Sequence, residues 1–216
     1  PQHADNASIG YYQNFRENTV QTYLTVFYRK IYQLIDYKDF AKLLLNDHIE
    51  TELLTGKGKA YGVEVYFNKA YGQHRVEMSY TFSRTLRQVA ATPSQESVNG
   101  GTWYASNYDK PHSLNLNYFF QIAVNSSLSV NFTYSTGRPT TAPVSTYSTG
   151  NVLTIPVYSK RNQYRIPAYH RLDLALNAHF TSGRVQHGFQ LGVYNAYNRY
   201  NPFYLYVDGR SGEKGK

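Results

Sequence analysis

The sequence predicts an all-β protein, and more specifically an antiparallel transmembrane β-barrel of which this chain forms about eight strands. Three observations predict this class. Apolar residues recur at every second position in several segments, short turns alternate with long polar connections, and the chain is rich in aromatic residues, with 23 Tyr and 11 Phe. Aromatic side chains collect at the two interfaces of a membrane.

The clearest alternation lies in residues 170–195, on both sides of the turn TSGR. Leu172 and Leu174 fall on one face of the first strand there, whereas Arg171 and Asp173 fall on the other. The pattern indicates a hairpin with one apolar and one polar face. Because the polar face is too hydrophilic for a dry core, we expect the apolar face to contact lipid and the polar face to line the lumen of a large barrel.

The same criterion predicts the other strands. Their alternating apolar residues are, strand by strand, Ala7, Ile9 and Tyr11; Leu24, Val26 and Tyr28; Tyr61, Val63, Val65 and Phe67; Val76, Met78, Tyr80 and Phe82; Leu114, Leu116, Tyr118, Phe120 and Ile122; and Leu128, Val130, Phe132 and Tyr134. The residues predicted to face lipid are Val63, Val65, Phe67, Met78, Tyr80, Leu114, Leu116, Val130, Phe132, Leu172, Leu174, Leu176, Leu191 and Val193. Glu64, Glu77 and Asp173 are predicted to face the lumen.

The connections between these strands alternate in length. Tight turns are predicted at nearly equal intervals, centred near Asn18, Gly72, Asn125 and Gly183. Long polar connections separate them, at about 38–59, 84–109 and 137–168. Short periplasmic turns and long outside loops are typical of outer-membrane barrels, whereas soluble sandwiches have shorter strands.

The composition and the absence of known motifs argue against several classes of function. The chain has no Cys, which excludes disulfides and thiolate metal sites, and its seven His show no metal-ligand spacing. GKGK at 56–59 lacks the spacing of a phosphate-binding loop. The net charge is +8, but Lys and Arg are spread over the connections, so we expect no nucleic-acid partner. We also expect no enzyme activity, no cofactor and no metal site.

Six segments, in order, carry a family resemblance: GKGKAYGVEVYFNKAYG (56–72), VEMSYTFSRT (76–85), NGGTWYASNYDKPHSLNLNYFF (99–120), STGRPTTAP (135–143), RIPAYHRLDLAL (165–176) and GVYNAYNRYNPF (192–203). Together they resemble the C-terminal barrel portion of TonB-dependent outer-membrane transporters (receptors) of the Bacteroidota type. The resemblance covers nearly the whole chain.

The resemblance implies a barrel of about 22 strands around a plug, driven by the TonB complex, that imports a metal chelate, cobalamin or a glycan-like ligand across the bacterial outer membrane. Residues 1–216 are then part of one barrel domain, with the plug, the TonB-contacting segment and the final strand outside this chain. Outer-membrane lipid, lipopolysaccharide and a surface lipoprotein are further implied partners. We expect the strand with Val193 to continue through 201–209, and the segment alone to form no stable barrel.

The long connections carry the candidate ligand contacts. Aromatic and Arg side chains there are predicted to surround a vestibule: Trp103, Tyr104, Tyr108, Arg138, Tyr147, Tyr158, Arg161 and Tyr164. Lys57, Lys160, Arg161 and Arg165 are predicted in outside loops, where they would attract lipopolysaccharide phosphates or an anionic substrate. Residues 37–54 have helical spacing and form either a short helix or an irregular loop packed over the barrel mouth.

Two other architectures fit the same pattern. One is a small, closed eight-stranded outer-membrane barrel with a structural or adhesin role. The other is a soluble carbohydrate-binding β-sandwich. A requirement for detergent separates the sandwich from both barrels.

Overall fold

The structure, a computed structural model, describes residues 1–17, 19–149, 153–158, 160–207 and 214–215. Across these ranges the regular structure is β, apart from two short 3-10 helices at Ile49–Glu52 and Asn99–Gly101. Within the same ranges no helix is both long and apolar enough to cross a membrane.

Eight long strands form one antiparallel sheet in which neighbours along the chain are also neighbours in space. They are β1 (His3–Phe15), β2 (Val20–Tyr37), β3 (Leu53–Tyr71), β4 (His74–Gln88), β6 (His112–Ala123), β7 (Ser126–Ser135), β12 (Tyr169–Ser182) and β13 (Val185–Val193). The short strand β5 (Tyr104–Ala105) pairs with the end of β4. All the predicted long strands are confirmed, and β6 begins at His112 directly after Pro111.

The remaining strands form three two-stranded ladders. They are β8 (Pro139–Thr140) with β11 (Tyr164–Arg165), β9 (Ser145–Thr149) with β10 (Leu153–Val157), and β14 (Tyr206–Val207) with β15 (Lys214–Gly215). The first two ladders lie within the connection between β7 and β12.

The strand pairing matches neither alternative architecture. Among the described strands, β1 pairs with β2 alone and β13 with β12 alone, so the sheet is open rather than closed. These strands also form no second large sheet that a sandwich would need. The tight turns at Gly72, Asn125 and Gly183 are confirmed, whereas Asn18 lies outside the described residues.

Several strands are longer than predicted at the end where the long connections begin. Lys57, predicted in a loop, lies in β3 opposite Gln88, and Lys59 lies opposite Leu86. The prediction failed there because a ladder needs only paired backbone groups, and these continue after the apolar alternation has ended.

The last predicted strand extension is wrong, since β13 ends at Val193 and residues 194–205 form no strand. Positions 208 and 209 of the predicted extension lie outside the described residues. Asn195 has a φ of 55°, and its side chain accepts a hydrogen bond from the Arg199 amide and donates one to the Arg199 carbonyl. Its own amide donates to Asp173 at 2.9 Å. Asn tolerates this left-handed conformation well, and the local bonds turn the chain away from the strand direction.

The register of the sheet separates an apolar face from a polar face. Directly opposed residues share a face, and one apolar row runs through Tyr11, Leu24, Val65, Tyr80, Leu114 and Tyr134. All the residues predicted to face lipid lie on this apolar face. A row on the polar face runs through Asn14, Gln21, Asn68, Glu77, Asn117, Asn131 and Asp173. Glu77, Asn117, Asn131 and Asp173 line a 550 Å³ cavity on it.

Candidate functional site

Three long connections meet at one end of the sheet, and they carry the predicted vestibule residues. They comprise residues 38–52 between β2 and β3, 89–111 between β4 and β6, and 136–168 between β7 and β12. Two buried carboxylates hold these connections together at the ends of the strands.

Asp36, near the end of β2, is the first of these carboxylates and is 8% exposed. Arg87 donates to it at 3.2 Å from β4, and Arg161 donates at 3.1 Å from the β7–β12 connection. The Tyr104 hydroxyl donates at 2.6 Å, and the adjacent Tyr37 amide at 2.8 Å. Charge-assisted bonds from several donors offset the cost of burying a carboxylate.

Asp109, just before β6, repeats the arrangement and is 1% exposed. Arg84 donates to it from β4 at 3.2 Å, the Thr85 amide donates at 2.6 Å, and Arg165 forms a second ion pair from β11. Arg165 also donates to the Asp109 carbonyl at 2.6 Å. Each aspartate therefore lies between one arginine of β4 and one arginine of the β7–β12 connection.

The segment around Arg161 fastens all three connections to one another. The Arg161 guanidinium also pairs with Asp39 at 2.6 Å, and its amide donates to the Asn99 side chain at 2.7 Å. Asn162, with a φ of 56°, donates from its side chain to the Ala105 carbonyl at 2.8 Å. Asn is one of the few residues that adopts this left-handed conformation readily.

A close approach between two backbone segments also anchors the β7–β12 connection. A Cβ at Gly137 would lie 1.7 Å from the Ile166 carbonyl oxygen, so glycine is required where β8 and β11 pair. The Ile166 amide donates to the Arg138 carbonyl at 3.1 Å, which continues that pairing. The β7–β12 connection is thus anchored by backbone as well as by charge.

Tyr104 links the charged cluster to a small apolar core. It is 5% exposed and packs in a cluster with Leu54, Val89 and Val98. Burial first, and then its hydrogen bond to Asp36, raise the pKa of Tyr104 well above the ordinary value of 10.0. The hydroxyl therefore stays protonated and acts as a neutral donor.

The other predicted vestibule residues are spread around this cluster. Trp103 lies under the Lys59 ammonium at 4.3 Å, and Arg138 lies over Phe203 at 5.6 Å and donates to its carbonyl. Tyr164 lies in β11 opposite Thr140. Three tyrosines keep exposed rings: Tyr108 at 81%, Tyr147 at 63% and Tyr158 at 39%.

Two pockets adjoin Arg161. One of 290 Å³ is lined by residues that include Asp36, Lys38, Arg87 and Asn107, and one of 400 Å³ by residues that include Phe40, Tyr158 and Lys160. Hydrogen-bond donors and aromatic rings in these walls suit a polar ligand with a planar or apolar part. In the described residues, no three His, Asp or Glu side chains are grouped as metal ligands would be.

Of the predicted segment 37–54, residues 38–52 form an irregular loop with one 3-10 turn at Ile49–Glu52 rather than an α-helix, and the ends of the segment belong to β2 and β3. Its backbone thus matches the second of the two predicted forms. However, Leu44 and Leu45 are 91% and 105% exposed, so these side chains do not pack as that form requires. Phe40 is 81% exposed and makes an edge contact with the Tyr158 ring at 5.8 Å.

Comparisons with known proteins support the fold. No family model and no curated protein matches the chain. Among solved structures, it is similar to the ferripyoverdine receptor of the outer membrane of Pseudomonas aeruginosa, with a TM-score of 0.60 and 13% identity over 92% of this chain. It is also similar to the ferric-catecholate import receptor Fiu of E. coli K12, with a TM-score of 0.60 and 18% identity over 96% of this chain.

The chain spans 24% of the length of each of these receptors. At these identities the likeness establishes architecture. The antiparallel sheet of this protein therefore has the β-barrel fold of the corresponding portion of these two receptors.

Proposed function

We propose that this chain is part of the barrel of a TonB-dependent transporter that imports a scarce nutrient across the bacterial outer membrane without changing it covalently. The structural likeness to an outer-membrane receptor and to an import receptor supports transport. A metal chelate, cobalamin or a glycan-like compound is the proposed ligand class. From the sequence motifs we further propose that the transporter is of the Bacteroidota type and contains a plug. We also propose that it works with the TonB complex and with a surface lipoprotein.

The main support for a membrane-spanning barrel is the length of the uncharged stretch on the apolar face of β3. On that face Lys59 and Lys69 enclose four residues without charge, namely Tyr61, Val63, Val65 and Phe67. Ten residues at a rise of ~3.3 Å span ~33 Å, which becomes ~25 Å across the membrane at a strand tilt of ~40°. Outer-membrane barrels have an apolar band of about this height. The predicted lipid-facing residues of all the strands would form this band.

The polar face would then line the barrel interior, and the long connections would lie outside the cell. The buried Tyr104 and the partly buried Arg161 are proposed to position the connections, because both are hydrogen-bonded to Asp36. The exposed rings of Tyr108, Tyr147 and Tyr158 are proposed to contact the ligand.

Cell fractionation and uptake test the proposal on the full-length protein. We expect it in the outer-membrane fraction, resistant to urea extraction, and we expect uptake of one of three labelled probes: a ferric catecholate, a ferric hydroxamate or cobalamin. Uptake should stop when an uncoupler removes the proton-motive force. Recovery in the soluble fraction would contradict the membrane assignment, and uptake unaffected by the uncoupler would contradict TonB-dependent transport.

Ligand contact is tested by a pair of tyrosine variants. Tyr158→Ala removes an exposed ring beside the larger of the two pockets that adjoin Arg161, whereas Tyr104→Phe removes one buried hydroxyl. We expect Tyr158→Ala to weaken binding of the transported probe more than Tyr104→Phe does. The reverse order would contradict the proposed division of roles.

A further inference from the structure

Two lysines oppose each other on the apolar face, directly beyond the uncharged stretch of β3. Lys30 of β2 and Lys59 of β3 are register partners, so their Cα atoms lie ~4.5–5.5 Å apart. Like charges in directly opposed positions destabilise a sheet. Neither lysine takes part in an ion pair of the described residues.

Each of these ammonium groups lies over an aromatic ring. Lys30 Nζ is 4.7 Å from the centre of the Tyr32 ring, and Lys59 Nζ is 4.3 Å from the Trp103 ring. His3 stacks on Tyr32 at 4.7 Å. Such contacts hold the charges at the surface of the sheet, where aromatic rings and cations are typical of a membrane interface.

The charge of this group is positive overall. Lys57 follows on the same face two residues from Lys59, and Asp5 opposes Lys30 from β1. The group therefore contains three lysines and one aspartate. An anion placed between Lys30 and Lys59 would relieve the repulsion across the ladder.

We infer that Lys30 and Lys59, assisted by Lys57, bind a phosphate of the lipid A part of lipopolysaccharide. The inference rests on the proposed membrane position, which places this end of the apolar face in the outer leaflet. Lys suits such a site because an ammonium binds phosphate as a point charge. The earlier candidates Arg161 and Arg165 are less suitable, since Asp36, Asp39 and Asp109 already occupy their guanidinium groups.

Lipid binding by the full-length protein in detergent tests this site. We compare the double variant Lys30→Gln/Lys59→Gln with the single variants Lys59→Gln and Lys69→Gln, which each remove one positive charge from the same face of β3 at its opposite ends. Dissociation constants are measured for bisphosphorylated lipid A, for dephosphorylated lipid A and for phosphatidylglycerol. We expect the double variant to weaken bisphosphorylated lipid A binding about tenfold, and Lys69→Gln to change it by less than about twofold.

The outcomes separate this inference from the proposed function. Unchanged lipid A binding in the double variant, with the protein still embedded in the outer membrane, overturns the site and leaves transport standing. An equal loss of phosphatidylglycerol binding overturns the choice of lipid A, and an equal loss of dephosphorylated lipid A binding overturns recognition of a phosphate. Recovery of the unaltered protein outside the membrane overturns the proposed function itself.

Discussion

A charge placed in the middle of the apolar face tests the two-faced sheet most directly. Val65 lies on that face of β3, six residues from Lys59 and four from Lys69, while Glu64 lies beside it on the polar face. Val65→Arg and Glu64→Arg introduce the same side chain one residue apart. Depth, strand and introduced side chain are therefore matched, whereas the face and the residue replaced differ, and the net charge rises by two for Glu64→Arg and by one for Val65→Arg.

The expected difference follows from the strand geometry. At ~2.5 Å of depth per residue, Val65 lies ~10 Å from the level of Lys69 and ~15 Å from that of Lys59, close to the midplane. An arginine on the lipid face at this depth costs ~2–4 kcal/mol. That cost corresponds to a shift of roughly 30-fold to several-hundred-fold in the folding equilibrium. Glu64→Arg on a solvated polar face should change stability by about 0.5 kcal/mol.

Denaturant titrations of the full-length protein in lipid vesicles measure both values, with tryptophan fluorescence and heat-modified gel mobility as independent signals. Equal destabilisation by the two variants would refute the assignment of the faces. A larger loss for Glu64→Arg would mean that the polar face, rather than the apolar one, contacts lipid.

Three other changes probe the base of the connections. Asp36→Asn leaves two arginines without their buried partner, so we expect proteases added outside the cell to cut the connections about tenfold faster. The pKa of Tyr104 is raised in the folded state, so the stability that the Tyr104 hydroxyl contributes is complete below about pH 10 and falls as the pH rises above that value. Tyr104→Phe should remove this contribution from the pH dependence of unfolding, measured in an alkaline titration. Gly137→Ala should reduce the yield of folded protein, since its Cβ meets the Ile166 carbonyl, whereas Gly188→Ala, with open space around it, should not.

The long strands and their turns were predictable because one physical constraint acts along their whole length. A sheet with two unlike faces repeats every two residues, so Leu172, Leu174 and Leu176 reveal both the strand and its face without knowledge of its neighbours. This constraint ends where the two faces of the sheet no longer differ in polarity. For this reason the pairing of Lys57 with Gln88 went undetected, although its backbone ladder is as regular as the rest.

The charged cluster was not predictable, because its members come from distant parts of the chain. Arg161 and Asp36 are separated by 125 positions, and their contact depends on how three irregular connections dock. The sequence predicts Tyr104 and Arg161 as ligand contacts because they are an aromatic and a cationic residue of the long connections, yet both bond to Asp36 within the protein. The one local signal was Asp36 itself, an acidic residue that interrupts the run LIDY at the end of a strand.

The charges of the cluster bear on what the net charge of the chain means. Four arginines, Arg84, Arg87, Arg161 and Arg165, meet three aspartates, Asp36, Asp39 and Asp109, so the base of the connections is nearly neutral. The excess of +8 therefore resides mainly elsewhere, including the lysines at the two ends of the apolar face. A basic isoelectric point is in this case weak support for an anionic ligand, because the lysines of the apolar face are not among the residues that line the two pockets beside Arg161, whereas Lys38 and Lys160 are. We therefore expect recognition at the pockets to depend on exposed rings such as Tyr158, on Lys38 and Lys160, and on the donors that the aspartates leave free.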